Sequence, residues 1–141
     1  MIENNEILLV NHSGLTPNSV FWNPPGGGLE FKENAKEALV REFKEETLLD
    51  VQVENFLFVN EFTSTDFHAI ELFFEVSRIG GELGLGGDPE HRQNQLLKNV
   101  AFFSLEEIRK LPKSSVHSTL HDLRKINDIF DSAGYSWFSA D

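Results

Sequence analysis

Gly27-Gly28-Leu29-Glu30-Phe31-Lys32-Glu33-Asn34-Ala35-Lys36-Glu37-Ala38-Leu39-Val40-Arg41-Glu42-Phe43-Lys44-Glu45-Glu46 reads as a loop running into one short helix, with its acids at fixed intervals. Asn34 is a good N-cap before Ala35-Lys36-Glu37-Ala38, so the helix is predicted to start there. At about 100° per residue, Glu42, Glu45 and Glu46 fall within a third of the circumference. Leu39, Val40 and Phe43 cluster on a separate face that is free to pack on a core. Carboxylates at i, i+3 and i+4 repel one another on a bare helix, so a cation belongs among them. Hard oxygen ligands with no cysteine and no local histidine suit Mg²⁺ or Mn²⁺ rather than zinc.

Just upstream, Trp22-Asn23-Pro24-Pro25-Gly26-Gly27-Gly28 is a rigid turn followed by a glycine loop, where backbone can approach a ligand closely. With this lead-in the segment resembles the Nudix hydrolase family, whose signature is G-x5-E-x7-R-E-U-x-E-E-x-G-U. Gly27, Glu33, Arg41, Glu42, Phe43, Glu45, Glu46 and Leu49 occupy the matching positions, Phe43 standing in for an aliphatic residue. Two positions depart: Leu48 replaces the final glycine, a natural left-handed C-cap, and Lys32 replaces a glycine of the lead-in.

The resemblance covers residues 6–111 and implies an α+β fold, the Nudix α/β/α sandwich with a mixed β-sheet between helices. It further implies one Nudix hydrolase domain over 1–141, with the motif at 27–49. By the same resemblance Glu42, Glu45 and Glu46 hold the metal with the Gly26 carbonyl, and Arg41 orients the glutamates. Glu33 and Gly27 are structural in the motif, Glu33 bracing the loop against the helix. The general base is Glu90, in the loop before the last core strand with Asp88 as its rival, or one of the helix glutamates.

The reaction implied is metal-dependent hydrolysis of a diphosphate linkage in a nucleoside diphosphate derivative, ADP-ribose or a nucleotide sugar. It would release a nucleoside monophosphate and a phosphorylated group. Two other readings are a nucleoside triphosphate pyrophosphohydrolase that sanitises the nucleotide pool and a non-catalytic nucleotide-sensing domain. Trp22, Phe21 and Phe67 are candidates to stack on a nucleobase, and core packing explains each as well.

Composition agrees with a globular enzyme. Of 141 residues, 40% are hydrophobic and 25% charged, which separates the chain from disordered sequences. Without cysteine there is no disulfide, thiolate nucleophile or Cys-based metal site. The start MIENNEILLV lacks the marks of a signal peptide, and no apolar run reaches membrane-spanning length, so the expectation is a cytoplasmic protein without a membrane partner. The net charge of -11 argues against long nucleic acids and leaves a small nucleotide-derived substrate, bridged by cations, as the partner.

Along the chain, strands are predicted at Glu6–Val10, Val51–Phe62, Phe67–Ile79 and Leu97–Phe103. Ile70, Leu72, Phe74 and Val76 share one face of the third. Ser104-Leu105-Glu106-Glu107 fits a capping box opening a helix to Leu111, and 116–130 suits a C-terminal amphipathic helix. The glycine-rich run Gly80–Asp88 reads as a flexible loop, since no Gly-Lys-Ser/Thr follows to make a P-loop. His117 and His121 lack the glutamate of a zinc protease motif and read as surface or partly packed, and His68 as structural. Only Met1 and Ile2 precede the turn Glu3-Asn4-Asn5, so the expectation is either that the recorded start lies inside a usual first strand or that this strand is missing. The bared edge is then expected to be covered by Tyr135-Ser136-Trp137-Phe138 or by a second copy in a homodimer.

Overall fold

The computed structural model describes residues 1–13, 20–65, 67–87 and 97–139. In chain order the elements are β1 (Ile2–Glu3), β2 (Glu6–Ser13), β3 (Val20–Asn23), α1 (Ala35–Thr47), β4 (Asp50–Thr63) and β5 (His68–Gly80). They continue with β6 (Leu97–Phe103), α2 (Leu105–Lys110), three short 3-10 turns and β7 (Gly134–Ser139). Two sheets form. In the first, β2 pairs antiparallel with β1, β3 and β6; in the second, β4 lies between antiparallel β5 and parallel β7.

The apolar run Ile7-Leu8-Leu9-Val10 explains why β2 is central. All four side chains are buried, and successive ones point to opposite faces, so both faces of the sheet must be covered. Leu8 packs with Met1, Phe43, Leu49, Val51 and Val76 beneath α1. Ile7 and Leu9 pack on the other side with Trp22, Phe58, Leu105, Ile108, Val116, Leu120, Ile126 and Ile129. The result is an α+β arrangement with the sheets layered between α1 on one side and α2 with the C-terminal turns on the other, as expected.

The strand and short-helix expectations stand, with extensions of a few residues. Ser104 and Glu107 close a reciprocal capping box on α2. The alternation in β4 is broken by register shifts between Val53 and Phe56 and between Phe56 and Phe58, which bury Phe58 and turn Phe56 outward. On β5, Ile70, Leu72, Phe74 and Val76 do share a face, but only Val76 is buried.

Two expectations are corrected. The C-terminal segment 116–130 is not an α-helix; it holds 3-10 turns at Ser118–Leu120 and Ile126–Phe130. Side chains capture the backbone there: the Thr119 N–H donates to His117 Nδ1, and those of Arg124 and Lys125 donate to Asp128 Oδ2. Val116, Leu120, Ile126 and Ile129 of this segment all enter the core. The second correction concerns the sheet edge. Ile2 and Glu3 pair with Ile7 and Glu6 across a turn in which Asn4 and Asn5 have φ of 50° and 64°. The C-terminal β7 covers an edge of β4 instead, held where Phe138 stacks on Phe62. No described helix is long and apolar enough to cross a membrane.

Candidate active site

The site is built on α1. Asn34 caps it by accepting from the Lys36 and Glu37 N–H groups, and Glu37 returns the bond to the Asn34 N–H. Phe43 and Ala38 are buried on the core side. On the other side Arg41 spends all five of its N–H donors. Its Nε and Nη2 grip the two oxygens of Glu33 at 2.9 Å each, and Nη2 also donates to the Gly28 carbonyl at 3.0 Å. Nη1 donates to Glu42 at 2.8 Å and to Glu45 at 3.2 Å. The guanidinium therefore ties the glycine loop, Glu33 and two helix glutamates into one unit. The bond to Glu33 chiefly holds the Arg41 pKa above its ordinary value, and the same pairing holds the Glu33 carboxyl below its own.

Glu46 points elsewhere. It is buried, accepts from the Gly26 N–H at 3.0 Å through Oε2, and meets His12 Nε2 at 2.9 Å through Oε1. His12 is braced behind by Asn23 Oδ1 at 3.0 Å from Nδ1. Burial opposes the charged imidazole, but the bond to Glu46 and its charge outweigh burial, and the His12 pKa is raised. Sequence reasoning missed His12 and Asn23. Neither has a spacing relation to the helix motif; they reach Glu46 only because β2 and β3 pair His12 with Phe21 and Val10 with Asn23.

Burial raises the Glu42 carboxyl, and the nearby charges of Glu46 and Glu45 add to this against the pull of Arg41. Close approach makes the loop glycine necessary: a Cβ on Gly27 would stand 2.4 Å from Glu42 Oε1. At the far end of α1, Leu48 takes the left-handed C-cap with φ 61° despite its side chain. The glycine-rich run does more than connect strands. The N–H groups of Gly84, Gly86 and Gly87 donate to the Thr47, Glu46 and Glu45 carbonyls at 3.1, 3.0 and 2.9 Å, satisfying the open end of the helix.

Of the stacking candidates, Trp22 is buried edge-on against Phe103, so its ring is committed to the core. Phe21 is half-buried against His117, and Phe67 is exposed at the β4–β5 turn beside Phe62. Glu90 and Asp88 lie outside the described residues. His117 is buried, bonded through Nε2 to both Glu71 oxygens at 3.1 and 3.2 Å, and His121 donates from Nε2 to the backbone carbonyls of Lys113 and Val116 at 2.9 Å each.

A chain with this loop, arginine fork and acid-faced helix can be compared with known proteins. The NUDIX domain description matches residues 1–123. The chain belongs to the NUDIX domain family. A curated relative, an ADP-ribose pyrophosphatase of Methanocaldococcus jannaschii, is 36% identical over 111 residues. That match covers 77% of this chain and 60% of the relative's length. Among solved structures, a NUDIX hydrolase from Nitrosomonas europaea has a TM-score of 0.68 at 17% identity, covering 98% of this chain and 74% of that one. An ADP-ribose pyrophosphatase from Streptococcus suis gives 0.61 at 18% identity, covering 95% and 92%. The MutT protein of Methanosarcina mazei Go1 gives 0.64 at 22%, covering 92% and 83%. At these identities the structures share the fold.

The donor set of this NUDIX domain fits a hard divalent cation by its chemistry: three carboxylates on neighbouring turns, two leaning on a single guanidinium. Among the described residues no three His, Asp or Glu side chains are already closed into a coordination cage, because Glu42 and Glu45 turn to Arg41 and Glu46 to His12.

Proposed function

We propose that this NUDIX domain hydrolyses a diphosphate linkage in a nucleoside diphosphate derivative, ADP-ribose or a nucleotide sugar. The products are a nucleoside monophosphate and a phosphorylated second group. Glu42, Glu45, Glu46 and the Gly26 carbonyl would hold Mg²⁺ or Mn²⁺. The observation that carries the reading is the Arg41 fork, which orients Glu33, Glu42 and Glu45 together beside the glycine loop. Identity to a protein named ADP-ribose pyrophosphatase supports the choice of substrate. Both hydrophobic clusters draw on both sheets, which supports reading residues 1–141 as one unit; a cytoplasmic place of action is part of the same proposal.

A bound divalent ion neutralises pyrophosphate oxygens and acidifies an attacking water. The protein's own part is orientation. Arg41 keeps two carboxylates apart in fixed rotamers, and the Gly26 N–H with His12 fixes both oxygens of Glu46. Glu90 or a helix glutamate would take the proton from water.

A panel of ADP-ribose, nucleotide sugars and nucleoside triphosphates, assayed with Mg²⁺, tests the reading. Monophosphate release from ADP-ribose or a sugar nucleotide is expected. Pyrophosphate release from triphosphates alone would move the assignment to a triphosphate pyrophosphohydrolase, and binding without turnover to a sensor. Glu46→Gln should lower activity roughly a hundredfold and weaken the Mg²⁺-dependent rise in melting temperature. Glu37→Gln should be silent, since glutamine also closes a capping box. Equal activity in the two variants sinks the metal assignment.

A further inference from the structure

The last torsion of a glutamate and the ring torsion of a histidine are both broad, so neither side chain sets its own orientation. Glu46 needs one set for it. It is 5% exposed, and a buried oxygen left without a donor is costly. The Gly26 N–H donates to its Oε2 at 3.0 Å, and His12 Nε2 stands 2.9 Å from its Oε1. A carboxylate offers about four acceptor sites, so one bond to each oxygen leaves room for a cation.

For His12 the open choice is a half-turn of the ring, which would put carbon in place of Nε2 before Glu46. Asn23 removes that choice. Its Oδ1 lies 3.0 Å from His12 Nδ1, a contact that the flipped ring would lose together with the one to Glu46. Which end of the Asn23 amide faces the ring is decided in turn. Nδ2 donates to the Pro24 carbonyl at 3.0 Å, and a carbonyl can only accept. An oxygen therefore faces Nδ1, and Nδ1 carries the hydrogen. Orientation passes from the Pro24 carbonyl to the Asn23 amide, the His12 ring and the Glu46 carboxylate.

Strand pairing makes this relay possible. Val10 pairs with Asn23 and His12 with Phe21, so His12 and Asn23 are diagonal neighbours on the face of β2 that carries Leu8 toward α1. Pro24 and Pro25 hold φ near about −65° and stiffen the connection from Asn23 to Gly26. Both ends of that turn serve Glu46, Gly26 directly and Asn23 through His12.

We propose that Asn23 is a positioning residue of the site, acting through His12 to hold Glu46 in one orientation for a divalent cation. The proposal rests on Glu46 as a cation ligand and deepens that reading.

Mn²⁺ binding to the full chain without substrate, followed by the electron paramagnetic resonance signal of the free ion, tests it. Asn23→Leu occupies similar space without an oxygen and should weaken Mn²⁺ binding roughly tenfold or more, as loss of a ligand's supporting partner does. Asn23→Asp keeps an oxygen for Nδ1 and loses only the donor to Pro24, so it should bind close to wild type. His12→Gln keeps an N–H for Glu46 without needing a tautomer, and adding Asn23→Leu to it should weaken binding no further. Melting temperatures taken alongside confirm that each variant is folded, and Asn23→Ala repeats the test if leucine unfolds the turn. Unchanged affinity in Asn23→Leu, a loss in Asn23→Asp as large as in Asn23→Leu, or additive losses in the double variant each overturns the proposal. The catalytic reading fails separately. A wild type that shows this binding pattern yet hydrolyses none of the substrate panel keeps the positioning role, whereas a wild type that binds no Mn²⁺ removes both.

Discussion

Arg41 is where a single side chain decides most. An exposed ion pair contributes about 0–1 kcal/mol and tolerates exchange, whereas a planar fork with five committed donors does not. Arg41→Lys should lower turnover at least about tenfold, because lysine offers three donors from one point and cannot serve Glu33, Glu42, Glu45 and the Gly28 carbonyl together. Unchanged kcat with ADP-ribose would return Arg41 to the surface. Lys32 shows the opposite economy. It stands where the family's lead-in has glycine, and it keeps the left-handed φ of 73° that glycine would adopt without cost. A left-handed non-glycine residue costs about 1–2 kcal/mol, and part of this is returned by the smaller entropy of the unfolded chain. Lys32 loses only a 5.4 Å contact with the Phe31 ring. Lys32→Gly should therefore raise stability by about 0.5–1 kcal/mol, seen as a melting temperature higher by about 2–4 °C. A fall in melting temperature would show that Lys32 makes a contact worth more than its backbone strain.

At the scale of the element, the end of α1 depends on a segment of low sequence information. Leu48 takes the left-handed cap, and the orphan carbonyls of the last turn are met by N–H groups of the glycine-rich run. Closeness is the reason for glycine there: a Cβ on Gly86 would stand 1.7 Å from the Glu45 carbonyl oxygen. Gly86→Ala must push the strand-connecting run off the helix, at a cost of about 1–3 kcal/mol or more. Because Glu45 and Glu46 belong to that turn, turnover should fall as well. Gly28→Ala, with open space at its Cβ, should leave the melting temperature nearly unchanged. Thermal melts of the two side by side decide it, and equal melting temperatures would remove the run's role as a cap. This role was not legible in sequence, because donors to a helix end are backbone groups that any glycine-rich loop possesses.

Across the whole molecule, the C-terminal segment is tied to the second sheet by a polar chain that runs through buried Asn60 and His117. Ser136 donates to Asn60 Oδ1, Asn60 donates to Glu71, and Glu71 meets His117, whose Nδ1 shares a hydrogen with Thr119. Burial raises the Glu71 carboxyl, but the bond to His117 and its charge, with help from Asn60, hold it below the ordinary 4.5. A carboxyl lowered in the folded state contributes stability that is fully present above its unfolded value and lost as pH falls through the folded one. The melting temperature should therefore drop on acidification below about 4.5, and Glu71→Gln should make that acid limb shallower. Parallel acid limbs in the two proteins would remove Glu71 as the titrating group. Local pattern alone determined the acid helix, its Asn34 cap and the main strands, because burial and capping follow from residue type at short spacing. Only tertiary structure decided the rest. His12 meets Glu46 through strand pairing, and β7 lies on β4 because β2 already had both edges filled. The 116–130 segment breaks into turns because His117 and Asp128 bond nearby backbone and Glu71 draws His117 inward. The His12–Glu46, β4–β7 and Glu71–His117 contacts join residues distant in sequence, which no spacing along one chain encodes, whereas the His117 and Asp128 bonds to backbone are local.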